Sequence, residues 1–77
     1  METTEQIIEE IKKMGFDVEN ATPKSLLVND LGLDSLDAME LITKLEEHYH
    51  IKFSDQSIEG CKTISDVASV IDELNNI

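Results

Sequence analysis

The residues with the most chemical potential are a serine and the carboxylates around it. Asp34-Ser35-Leu36-Asp37 stands where an irregular stretch gives way to a helical pattern, so Ser35 falls in the first turn of a helix. Its hydroxyl would lie beside backbone N–H groups that a helix start leaves without partners. It would also sit at the positive end of the helix dipole, a location that favours a phosphate. A serine at a helix start equally serves ordinary capping, and position alone leaves both readings open. The other reactive side chains form no constellation. His48 and His50 are two apart, so on a continuous helix they point in different directions, and neither is near Ser35 in sequence. Asp30, Asp34 and Asp37 lack the alternating oxygens, central glycine and closing glutamate of a calcium loop. Cys61 is the single cysteine, which excludes an internal disulfide and a zinc ligand set, and it reads as a small core residue. No catalytic residue and no metal ligand is expected.

Three long helices and a short one must position Ser35. Ile7, Ile8, Ile11 and Met14 repeat on one face over residues 3–14, with Thr3 and Gln6 as a capping box and Gly15 as the stop. Residues 16–33 have no sustained period, contain Pro23, and scatter apolar residues among polar ones; this is an ordered loop, of a length usually kept for function or self-packing. The clearest helix follows, with Asp34 as N-cap and its end near Tyr49. Stepping 100° per residue puts Ala38, Leu41, Ile42, Leu45 and Tyr49 on one side and Asp37, Glu40, Lys44 and Glu47 on the other. Leu36 falls among the acids, where an apolar side chain either packs back on the loop or waits for a partner. Asp55 caps a short helical turn ended by Gly60. The last helix carries Ile64, Val67, Ala68, Ile71 and Leu74, with Thr63 and Asp66 as its cap pair. No β-alternation, repeat or second domain is visible, so the fold class is all-α, a bundle of three main helices plus a short one in a single domain, 1–77.

Bulk composition narrows the partners. Six Lys/Arg against 17 Asp/Glu give a formal charge of -11, a negative potential that disfavours nucleic acid and anionic membranes and favours basic proteins. Apolar residues make up 40% of the chain and recur at helical spacing, so a folded domain is expected, not a disordered acidic tail. Met1 to Glu5 has neither a basic start nor an apolar run, and no stretch approaches membrane-spanning length. A monomer without stable membrane insertion, in a reducing cytoplasm, is expected.

The run Asp30-Leu31-Gly32-Leu33-Asp34-Ser35-Leu36-Asp37 resembles the phosphopantetheine attachment motif of acyl carrier proteins. Such an extended run is far rarer by chance than a bare Asp-Ser-Leu. The resemblance continues through Glu40-Leu41 and Leu45-Glu46-Glu47 to Ile51, and with the outer helices it covers essentially the whole chain. It implies a non-catalytic carrier of acyl thioesters. A phosphopantetheinyl transferase would move 4'-phosphopantetheine from coenzyme A onto Ser35. Acyl or malonyl transferases, ketosynthases and other acyl-processing enzymes with basic docking patches would then be served in turn. It further implies partner contacts through Asp34, Leu36, Asp37, Met39, Glu40, Glu46 and Glu47. A chain-lining set of Met39, Ile42, Leu45, Ile58, Cys61, Ile64 and Ala68 follows from the same resemblance, although each of these could equally be plain core. Tyr49-His50, Ser54 and Gly60-Cys61 depart from the pattern, which usually has a Phe-Gly pair, a proline, and a charged residue followed by an aliphatic one. These departures leave a housekeeping fatty-acid carrier and a specialised polyketide or lipid carrier both open. An unmodified acidic adaptor and a peptidyl carrier are the other readings.

Overall fold

The computed structural model describes residues 2–75. Four helices follow in order: α1, Glu2–Lys13; α2, Ser35–Tyr49; α3, Asp55–Gly60; and α4, Ile64–Asn75. The molecule is an all-α bundle in which α1 packs on α4 and on α2. Its core follows the helical periodicity, since Ile7 and Ile11 from α1, Leu41, Ile42 and Leu45 from α2, and Ile64, Val67 and Ile71 from α4 are all at most 3% exposed. The loop adds Leu27 and Leu33 to this core, and Phe53 closes it beneath the α2–α3 connection.

The ends of the helices explain their lengths. Gly15 takes φ +98 and ends α1: its N–H donates to the Lys12 carbonyl at 2.9 Å while the Phe16 N–H reaches the Ile11 carbonyl at 3.4 Å. That pair of bonds is the Schellman arrangement, which needs a residue with no Cβ penalty in the left-handed region. The start of α1 differs from the expected capping box. The helix already includes Glu2, the Thr3 hydroxyl donates to Asp72 Oδ1 at 2.7 Å, and the Gln6 amide donates to Glu10 Oε2. Thr3 therefore ties α1 to α4, a long-range partner that no local pattern could reveal. The cap of α3 also moves by one residue: Ser54, not Asp55, accepts from the Ser57 N–H at 3.1 Å.

Residues 14–34 contain no helix and are fixed by their own turns and by one contact across the bundle. An isolated antiparallel bridge joins Leu26 to Thr63. The Leu27 N–H donates to the Lys62 carbonyl at 2.9 Å, the Ile64 N–H to Ser25 at 3.2 Å, and the Ser65 N–H to Pro23 at 2.8 Å. The long loop is thereby latched to the α3–α4 junction, which satisfies backbone groups that a loop packed over a core would otherwise leave orphaned.

Candidate functional site

The sequence around Ser35 is a series of backbone instructions. The Asp30 carboxylate accepts from the Leu26 N–H at 2.7 Å, and the Asp30 and Leu31 N–H groups both return to the Leu26 carbonyl at 3.1 Å, closing a tight turn. Gly32 leaves that turn at φ +80, a conformation that strains any residue with a Cβ. Leu33, 1% exposed, then anchors the chain in the core. Asp34 is extended and caps α2: its Oδ1 accepts from the Asp37 N–H at 2.8 Å, and Asp37 Oδ2 accepts from the Asp34 N–H at 3.2 Å. This reciprocal box fixes the helix start to the residue. Ser35 is thus the first residue of α2, exposed, between a buried leucine and an exposed one.

The expected partner residues divide by what they already hold. Leu36 is 80% exposed, so it does not pack back on the loop, and Met39 is 47% exposed one turn on. Val28, at 60%, is the other large exposed apolar residue among those described. Glu40 and Glu47 are exposed. Asp34 and Asp37 are engaged in the cap, and half-buried Glu46 accepts from the Phe53 N–H at 2.7 Å, bracing the segment that leads into α3.

A groove of about 330 Å³ opens beside the first turns of α2, between the loop and the end of α3. Leu26, Val28, Ala38 and Cys61 form its apolar walls, with Asn29 and Lys62 among its polar lining. Of the seven residues expected to line an acyl chain, Cys61 borders this groove. Ile42, Leu45, Ile64 and Ala68 are in the closed core, Ile58 packs against it half-buried, and Met39 lies on the surface. Sequence reasoning missed Leu26, Val28 and Ala38 because the groove is created by the bridge between distant segments. The signal that was available is Ala38, whose small side chain leaves α2 thin one turn after Ser35.

Two groups near the groove have shifted acidity. Burial, and then the Asp66 charge, push the Cys61 thiol up, and Cys61 Sγ donates to the Ser57 carbonyl at 3.1 Å. The Asp66 carboxyl is held below its ordinary value, first by the Thr63 N–H and then by the Lys62 N–H. Both bonds, at 3.0 and 3.1 Å, stabilise the ionised form, and the Thr63 hydroxyl returns the cap to the Asp66 N–H. His48 stacks edge-on to Tyr49 with centroids 4.8 Å apart, which is a packing contact. Among the described residues no group of three or more His, Cys, Asp and Glu is placed to hold a metal ion.

An exposed serine hydroxyl at the start of a capped helix, with the exposed apolar side chains of Leu36 and Met39 close by on the same helix, is suited to bearing a covalent group. The positive helix end tolerates a phosphodiester there. The nearby Asp34 and Asp37 carboxylates argue against a free anion site there. The fold and this geometry define a small helical carrier domain. Residues 5–71 match the family described as phosphopantetheine attachment site, and the chain belongs to that family. It is a carrier domain with a covalently attached 4'-phosphopantetheine group, and the family's domains are not catalytic centres but work with a phosphopantetheinyl transferase and acyl-processing enzymes. No helix among the described residues is long and apolar enough to cross a membrane.

Proposed function

We propose that Ser35 is the attachment residue and that the protein carries fatty-acyl or polyketide-type acyl groups among cytoplasmic biosynthetic enzymes. The observation that supports this best is the placement of Ser35, exposed at the capped start of α2 and one helical turn before Ala38 in the wall of an apolar groove. The prosthetic group supplies a thiol that forms a reactive thioester at the end of a long flexible tether. The chain's own residues do the rest. Asp34 and Asp37 hold the helix start rigid, so the hydroxyl is presented in one position to a transferase. Leu36 and Met39 offer apolar contact area, and Glu40 and Glu47 attract a basic enzyme surface. The groove's apolar walls favour aliphatic cargo over an aminoacyl group, whose charged amine would have to be desolvated there.

Intact mass after incubation with coenzyme A and a broad-specificity transferase tests the attachment. Wild-type protein should gain one phosphopantetheine, while Ser35→Ala should gain nothing yet keep its helical circular dichroism. Modification of the Ser35→Ala variant would show that another residue is used, and unmodified wild-type protein would favour an acidic adaptor. Loading of the holo-protein by a malonyl transferase, and not by an adenylating enzyme, is expected for the acyl cargo.

A further inference from the structure

Cys61 is the one sulfur-bearing nucleophile of the chain, and it is neither in the closed core nor on the open surface. It is half-buried at the end of α3 and lines the same groove as Ala38, three residues beyond Ser35 on α2. Three residues of helix rise about 4.5 Å. One groove is therefore bordered both by Cys61 and by a residue one helical turn from Ser35. The prosthetic group proposed on Ser35 ends in a thiol of its own, on a flexible tether whose base is one helical turn from a residue lining this groove.

Resting on attachment at Ser35, we propose that Cys61 is an internal disulfide partner for the prosthetic thiol, so that oxidation parks the arm in the groove and blocks acyl loading. The order of events follows from the two thiols' environments. Burial and the Asp66 charge keep Cys61 protonated and bound to the Ser57 carbonyl, so it is slow to react with a disulfide from solution. The exposed prosthetic thiolate reacts first with a low-molecular-weight disulfide, forming a mixed disulfide and releasing one small thiol. Cys61 then loses its proton to solvent and its Sγ attacks the prosthetic sulfur. That step breaks the mixed disulfide, forms the internal one, and expels the second small thiolate, which takes up a proton. Two protein thiols are oxidised and one small disulfide is reduced to two thiols. Tethering makes the second step intramolecular, with an effective concentration of the order of millimolar, which compensates for the small thiolate fraction of Cys61. Thioester formation needs the free prosthetic thiol, so the closed form cannot be loaded.

The test uses reduced holo-protein, with the arm first verified by intact mass, incubated with excess oxidised glutathione and quenched in acid. The expected product is a monomer lighter than the reduced holo-protein by two hydrogens, with no alkylatable thiol, in which digestion links the Cys61 peptide to the Ser35 peptide. Holo Cys61→Ser should instead accumulate the glutathione adduct on the arm, and Cys61→Ala should do the same. Wild-type protein that accumulates the adduct to the same extent as these variants, or that forms disulfide-linked dimers instead, overturns the proposal. An arm that never attaches overturns the attachment at the earlier mass measurement, before any oxidant is added.

Discussion

His50 carries a backbone strain that one substitution should relieve. It terminates α2 at φ 59 and ψ 47, the centre of the left-handed region, and is the one non-glycine residue with positive φ among those described. A side chain with a Cβ costs roughly 1–2 kcal/mol there. The His50 ring is exposed, and the bonds that close the helix are made by backbone: the His50 N–H to the Glu46 carbonyl, and the Ile51 N–H to the same oxygen at 3.1 Å. Glycine keeps both bonds and removes the strain, while its greater freedom in the unfolded chain returns about 0.4–1 kcal/mol. His50→Gly should therefore stabilise the protein by about 0.5–1 kcal/mol. For a domain of this size that is a rise in thermal midpoint of roughly 2–8 °C. Thermal and urea unfolding followed by helical circular dichroism would read the change. His50→Ala is the control, because it removes the imidazole but keeps the Cβ and so should give no such gain. Equal stabilisation by alanine and glycine, or a loss with glycine, would refute a backbone origin.

Two further outcomes probe the site and its supports. Leu36→Ala should change the stability of the isolated chain by no more than about 0.5 kcal/mol, because the side chain is 80% exposed. It should nevertheless speed dissociation from a transferase or synthase by an amount worth about 2 kcal/mol if it fills a pocket there, and unaltered kinetics would remove Leu36 from the docking surface. Asp66 has a depressed folded-state acidity, so its stabilisation is present above the ordinary carboxylate range and is lost as pH falls through the lowered value. Asp66→Asn should accordingly be less stable at neutral pH and lose stability less steeply on acidification, and parallel acid curves for variant and wild type would contradict this.

The parts of the fold that were legible in the sequence are those governed by local rules. Periodicity marked the buried faces of α1, α2 and α4, Gly15 marked a helix end, and Asp34 and the Thr63–Asp66 pair marked helix starts, because each signal acts within one or two turns. Failures came where a residue's partner is remote. Thr3 reads locally as a cap, yet its hydroxyl is taken by Asp72, 69 residues away. The bridge from Leu26 to Thr63 has no alternating pattern behind it, since a single pair of residues cannot generate a period. The groove was not legible for the same reason. Ile42, Leu45, Ile64 and Ala68 lie on helical faces that point inward, and inward-facing residues form a wall only if the helices stand apart. Here those residues lie in the closed core, and a separate groove is lined by Leu26 and Val28 of the latched loop together with Ala38 of α2.

The acidic surface around Ser35 also does two separate jobs that a list of charges would merge. Asp34 and Asp37 spend their oxygens on backbone N–H groups at the helix start, and Glu46 spends one on the Phe53 N–H. Removing any of these changes the free protein as well as its charge. Glu40 and Glu47 are exposed on α2 without such a role among the described hydrogen bonds, so their charge is available for long-range attraction of a basic partner. The cap makes the position of Ser35 definite, and in the proposed function the exposed acids speed the approach of a basic partner. Because these functions reside on different residues, the rate of encounter can be tuned at Glu40 and Glu47 without disturbing the geometry in which the hydroxyl is presented. With Ser35 as the proposed attachment residue, a carrier that serves several enzymes would gain from that separation, since each partner could differ in how it reads the outer acids while all of them met the same fixed serine.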